Sequence, residues 1–246
     1  MALLHIMILC VLAASTAANA ATFHAIIIGD THAADIGKSV QADVRMARNF
    51  ANGIAEHFQT KSIHVLTGKD ATPQAAKTAI SHLDLGLDDF LFLYYSGHGT
   101  TSRSDSPWPL LGLGEGIEAQ ELLLHVGSKV PSRYLAVFDA CNGAEEMPAR
   151  RSPASSDFNT EQVQRLIKSL KGNVIVTSSK APYVSYADAG GRGSRFSTTF
   201  FSTVADVLTS PASTAKWDQI LTNVVQQTEN AAGTKKQSPK FLMTRQ

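Results

Sequence analysis

Five short apolar runs alternate along the chain with longer segments of helical spacing, and that alternation limits the fold more than any single residue does. The runs are Phe23–Gly29, Ser62–Leu66, Phe90–Ser96, Tyr134–Ala140 and Asn173–Ser178, rich in Ile, Val, Phe and Tyr. A strand that is apolar at successive positions needs cover on both faces, as in the interior of a parallel sheet. Between the runs, Ser39–Phe58, Pro73–Leu83, Ile117–Val126 and Thr160–Leu170 read as helices, as do Phe196–Leu208 and Trp217–Ala231 near the end. Phe196, Phe200 and Phe201 fall at core spacing within this pattern. The pattern predicts an α/β fold: a mostly parallel central sheet with helices on both faces, three layers in all.

Two stretches break the rhythm and read as loops, Thr100–Gly116 and Asn142–Asn159; a third, Ala187–Ser194, holds Gly190, Gly191 and Gly193 and is expected to be mobile. Gly112, Gly114 and Gly116 have neither the spacing nor the preceding strand of a dinucleotide fingerprint.

The first 20 residues stand outside the alternation. About a dozen apolar residues lead into Ala18-Asn19-Ala20, the small-x-small pattern of a signal-peptidase site, so residues 1–20 read as a secretory signal and 21–246 as one exported domain, periplasmic or extracellular. No later stretch is long and apolar enough to span a bilayer. With 22 Lys+Arg against 21 Asp+Glu and no basic run, nothing marks the chain for nucleic acid. Of its two cysteines, Cys10 lies in the signal. That leaves Cys141 unable to close an internal disulfide, hence either an inert buried side chain or a reactive thiol.

In an open parallel sheet, functional groups collect beyond the carboxyl ends of the strands. One apolar run leads into Ser96-Gly97-His98-Gly99, and another into Asp139-Ala140-Cys141-Asn142-Gly143. If those strands are neighbours, His98 and Cys141 meet at one rim. A thiolate is a strong nucleophile, and an adjacent imidazole can lower the thiol pKa or carry its proton, which is the equipment of acyl transfer. Gly99 is expected to leave room for a substrate, its amide and that of Cys141 donating to a developing oxyanion.

Tyr95-Ser96-Gly97-His98-Gly99 followed by Asp139-Ala140-Cys141-Asn142-Gly143, each after an apolar strand, resembles the catalytic pair of caspase-like cysteine peptidases, most closely the metacaspase branch. The similarity extends to Ile28-Gly29, Ala42-Asp43, Ala71-Thr72, Phe196-Ser197-Thr198 and Gln237-Ser238-Pro239. It implies a caspase-like fold and a peptidase in which Cys141 attacks the scissile carbonyl while His98 protonates the leaving amine. Asn142 stands where the family often has His or Arg, and Ala140 where Ser is common; neither change removes a catalytic atom.

Alternation along a strand puts Asp139 and Cys141 on the same side, a carboxylate beside the nucleophile. A buried carboxylate needs a partner, and a substrate Arg or Lys would supply one. The resemblance implies that Asp43, Ser96 and Asp139 form such a pocket, with protein or peptide substrates carrying Arg or Lys at the cleavage position. Read singly, the three residues also fit a helix dipole, a turn and backbone amides. Asp188 is a weaker candidate for the rim. No cofactor is expected: the family often requires calcium, but Asp105, Glu145 and Glu146 do not form a run of spaced oxygen ligands. Arg150 and Arg151 lie in the 142–159 stretch, a candidate linker between large and small parts, and are candidate sites of self-cleavage. The competing functions are a catalytically silent binding module on the same fold and a thiol acyl-transferase.

Overall fold

The computed structural model describes residues 21–104, 106–129, 133–145, 157–232 and 236–244, with the backbone alone for 141–145. The expected signal (1–20), Asp105, Glu146, Arg150 and Arg151 lie outside the described residues.

All five apolar runs are strands. In chain order the elements are β1 (Thr22–Gly29), α1 (Gly37–Ala55), β2 (Thr60–Thr67), α2 (Pro73–Ser81), β3 (Phe90–Thr100), β4 (Leu110–Leu111), β5 (Ile117–Glu118), α3 (Ala119–Ser128) and β6 (Arg133–Glu145). There follow α4 (Thr160–Val163), which runs on as a π-helical turn over Gln164–Lys168, then β7 (Gly172–Thr177), β8 (Ser185–Asp188), α5 (Arg195–Thr209), α6 (Trp217–Ala231) and β9 (Lys240–Thr244). The sheet order is β2-β1-β3-β6-β7-β9, parallel except for β9, which closes one edge antiparallel to β7.

The inner strands β1, β3 and β6 bury both faces, each face under its own helices. One face carries Phe23, Ala25 and Ile27 of β1, Phe92 and Tyr94 of β3 and Leu135 and Val137 of β6, packed under α1, α5 and α6. The other carries Ile26, Ile28, Leu91, Leu93, Ala136 and Phe138 under α2 and α3. Phe196, Phe200 and Phe201 are buried in the first core, as their spacing predicts. Phe50 of α1 meets Phe92 at 5.1 Å and Phe201 of α5 at 5.7 Å between ring centroids, and Tyr94 meets Phe201 at 5.4 Å. Burying each such ring stabilises the fold by roughly 1.5–3 kcal/mol. This aromatic knot fixes α1, α5 and the end of β3 relative to one another, and those three elements meet again at the sheet's rim.

Four expectations are corrected. The Thr100–Gly116 stretch is not wholly loop: β4 returns along β3, pairing Gly99 with Leu111, and β5 pairs with β4. For that reason the helix expected from Ile117 begins at Ala119, after Glu118 in extended conformation. The Asn142–Asn159 stretch begins as strand, because β6 continues to Glu145 and pairs with β8 through a register shift between Cys141 and Gly143. Ala187–Ser194 is a tethered turn rather than a mobile loop. Asp188 N–H donates to the Gly193 carbonyl (3.0 Å), and Ser39 Oγ of α1 accepts from both Asp188 and Gly193 amides at 3.1 Å. The glycines there serve tight geometry: Gly193 has φ +108°, and a Cβ on it would lie 2.8 Å from Asp43 Oδ1.

Candidate active site

β3 and β6 are neighbouring parallel strands, and their register pairs Ser96 with Asp139 and His98 with Cys141. The two motifs are therefore side by side at the carboxyl rim of the sheet, as sequence predicts. In both strands the alternation seen in the core carries outward: Phe92 and Tyr94 lead to Ser96, and Leu135 and Val137 to Asp139, on the face covered by α1 and α5.

On that face Asp43, from the middle of α1, and Asp139 are both 0% exposed. Ser96 Oγ donates to Asp43 Oδ2 (2.8 Å), and the Ser194 amide donates to Asp43 Oδ1 (2.7 Å). Asp139 lies at the N-terminus of α5, where anionic groups are favoured. Its Oδ2 accepts from the Ser197 amide (3.2 Å), the Ser197 hydroxyl (2.5 Å) and the Ser194 hydroxyl, and its Oδ1 from Ser185 (3.1 Å). Asp43, Ser96 and Asp139 are thus brought together. The partner that the sequence left for a substrate to supply is furnished in part by the chain itself. Gln237 completes the support, donating to Ser185 Oγ (2.8 Å) and to the Ser178 carbonyl (3.1 Å). The Asp43 carboxyl is pushed well above the usual carboxylate range by burial, and further by the charge of Asp139, against the hydrogen bonds from Ser194 and Ser96.

His98 lies at the half-exposed end of β3, and its backbone is pinned from the other face. Tyr95 Oη donates to the His98 carbonyl (2.5 Å), and the Gly112 amide donates to the same carbonyl (2.7 Å). Its ring Nε2 is 2.8 Å from Oδ1 of Asp35, in the turn before α1. Burial raises the Asp35 carboxyl, but the His98 hydrogen bond and charge and the Asp35 and Ile36 amides outweigh it and hold the group below its ordinary value.

Gly99 does not open space for a substrate. A Cβ there would lie 2.5 Å from Ala140 Cβ and 3.0 Å from the Leu110 carbonyl, so the glycine permits close approach of β3, β4 and β6. Asp188 is no exposed rim group: it is 2% exposed and is gripped by Arg192, with Nε to Oδ2 at 2.7 Å and Nη2 to Oδ1 at 3.0 Å. Among the described residues no three His, Cys, Asp or Glu gather to hold a metal ion. No described helix is long and apolar enough to cross a membrane. Sequence reading missed Asp35, Ser185, Ser194 and Ser197. Ser194 carried a signal, since Ser-x-x before a run of helical spacing is an N-cap, and its hydroxyl accepts from the Ser197 amide at 2.9 Å.

A three-layer α/β fold whose neighbouring strand ends carry a histidine and a cysteine in register is that of the caspase-like peptidases. The caspase domain family matches residues 22–245, and the chain belongs to that family, one of cysteine peptidases that also includes members without activity. Its substrates as a family are proteins. Among curated proteins no relative matches. A crystal structure of a Geobacter sulfurreducens protein, a structural genomics target, is similar in fold, with a TM-score of 0.56, 18% identity and cover of 91% of this chain and 93% of that one.

Proposed function

We propose that this chain is an exported cysteine endopeptidase of the metacaspase kind, cutting protein chains after Arg or Lys with Cys141 and His98. The observation that carries the reading is the pair of fully buried carboxylates, Asp43 and Asp139, set beside Ser96 one strand step from the register pair His98 and Cys141. Two carboxylates buried against each other are costly, and a guanidinium or ammonium entering between them is the natural compensation. The pocket thus favours a basic side chain, which would place the following peptide bond at the rim.

In the proposed reaction the Cys141 thiolate attacks the carbonyl carbon, forming the S–C bond. The tetrahedral oxyanion is met by backbone amides, with those of Cys141 and Gly99 the candidates. The C–N bond breaks as His98 gives its proton to the leaving amine. Water, deprotonated by His98, then attacks the thioester; the C–S bond breaks, and the acid product and thiolate are released. No cofactor takes part.

The chain is proposed to lose residues 1–20 on export to the periplasm or the exterior, beginning at Ala21, and to cut itself after Arg150 or Arg151 within the 142–159 stretch. The deciding experiment uses purified protein from Ala21 and fluorogenic peptides differing only before the cut. Cleavage is expected after Arg and Lys alone, and Cys141→Ala is expected to lower it by at least about a thousandfold. Equal turnover in the variant, or preference for an acidic residue, would overturn the reading. Incubation of the same two proteins tests self-cleavage: the parent alone should yield new ends after Arg150 or Arg151.

A further inference from the structure

His98 carries one neighbour that the pairing with Cys141 does not account for. The Asp35 carboxylate is 2.8 Å from Nε2 of the ring, and a carboxylate can only accept. The proton of that hydrogen bond therefore belongs to Nε2. This leaves Nδ1 as the nitrogen that gains and loses a proton.

Asp35 is more than half exposed, yet the turn that bears it is fixed at both ends. Before it, the Asp30 amide donates to the Ser96 carbonyl (3.0 Å), tying the turn to β3 two residues ahead of His98. After it, Ile36 is 1% exposed in the core, and its amide donates to the same Asp35 Oδ1 at 3.0 Å. Gly37 closes the turn, since a Cβ there would lie 2.6 Å from the Thr31 carbonyl oxygen. The carboxylate is thus presented to the ring by a braced segment. The other titratable groups on the elements around the ring are Asp30, whose Cβ abuts Gly97, His32 in the same turn, whose ring lies against Gly68, Tyr95, whose hydroxyl holds the His98 carbonyl, and Cys141 in register on β6; β4 and its turn offer the backbone at Gly112.

Resting on the peptidase reading above, we infer that Asp35 is a positioning residue: it fixes the His98 ring with Nε2–H turned away from the scissile bond and Nδ1 toward it, and its charge steadies the imidazolium. No proton passes to Asp35. The proton taken up at Nδ1 goes on to the leaving amine, and Nε2–H stays where it is throughout.

Three variants separate charge from geometry. Asp35→Asn keeps an acceptor oxygen and loses the charge; Asp35→Ala loses both; Asp35→Glu keeps the charge on a longer arm. With a fluorogenic arginyl peptide, kcat is expected to fall roughly tenfold for Asn and roughly a hundredfold for Ala, with partial recovery for Glu and KM within about twofold of the parent. Losing the carboxylate removes a partner of the imidazolium, so the alkaline limb of kcat/KM should move to lower pH in Asp35→Asn. A merely structural role would lower Tm and leave the limb in place. Independently of turnover, 15N NMR of labelled histidine, with the His98 signal identified by its loss in His98→Gln, should show the Nε2–H tautomer and an imidazolium more acidic in Asp35→Asn. An unmoved titration in that variant, or an Nδ1–H tautomer in the parent, would overturn the assignment. A parent that leaves arginyl peptides uncut would instead sink the peptidase reading, while the NMR result still decides the pair.

Discussion

The two ends of the same parallel strands handle buried carboxylates in opposite ways. At the amino end, Asp89 accepts from the Thr22 amide (2.6 Å), from the Gly86 amide (2.7 Å) and faces His24 Nε2 at 3.3 Å, while Arg133 spans the Asp89, Asp88 and Lys168 carbonyls. Both oxygens find donors, so this carboxylate works as a clamp between β1 and the turn leading into β3. At the carboxyl end, Asp43 and Asp139 are buried against each other, held by serine hydroxyls and by amides from α5. Burial, and then the like charge of Asp139, oppose ionisation, which is why the Asp43 carboxyl is raised. One end is arranged for stability. The other stores an electrostatic cost where a cationic side chain would relieve it.

The contrast is broken most directly at the carboxyl end. Asp139→Ala is expected to lower kcat/KM for arginyl peptides at least about a hundredfold, with the protein still folded by circular dichroism. An equal loss with peptides lacking a basic residue would mean that Asp139 supports the rim generally and does not read the substrate. At the amino end the same change should do the reverse. Asp89→Ala strands two amides and a histidine, and should cost about 2–4 kcal/mol in denaturant unfolding while kcat/KM at a temperature below the transition stays as in the parent.

The smallest effect has the most telling sign. An acid whose folded pKa lies above its unfolded value makes the folded state bind the extra proton, so its contribution to stability declines as pH rises from about 4 toward the raised folded value. Asp43→Asn resembles the protonated form at every pH. It should therefore stabilise the fold at neutral pH by about 1 kcal/mol, roughly 2–4 °C in Tm, with the gain shrinking toward pH 4. Because Asp43 lines the proposed pocket, activity on arginyl peptides should fall in the same variant. A variant less stable than the parent at neutral pH would show that the serine donors already compensate the pair.

Most of the scaffold was legible from sequence because its strands are buried on both faces and so write long apolar runs. The short strands were not. Ser185–Asp188 has no apolar run, and it exists because β6 outlasts β7 and leaves an edge for β8 to pair with. Leu110–Leu111 and Lys240–Thr244 are edge additions of the same sort, set by tertiary pairing rather than by local pattern. At the site, His98, Cys141 and Asp139 stood out because they follow recognisable strands, whereas Ser96 and Asp43 entered only through the family resemblance. Asp35 did not stand out, since an aspartate in a turn before a helix reads like any other turn residue. The glycines of the 187–194 segment were misread for a related reason: composition shows freedom of the backbone, and only the fold shows whether neighbouring atoms use it up.

The placement of β6 gives the chain one more property. Everything up to Glu145 supplies β1 to β6, and everything from Thr160 onward supplies β7 to β9, yet β6 is hydrogen-bonded to both β7 and β8 within one continuous sheet. The same two parts share the core in which Phe50 packs against both Phe92 and Phe201. Among the described residues, a break after Arg150 or Arg151 would therefore cut neither of these ladders and would leave Phe158, packed on Phe50, with the second part. The two fragments should migrate apart only in denaturant and elute together without it. Expressed as separate polypeptides, they are placed to reassemble by fragment complementation, with the sheet as their dimer interface.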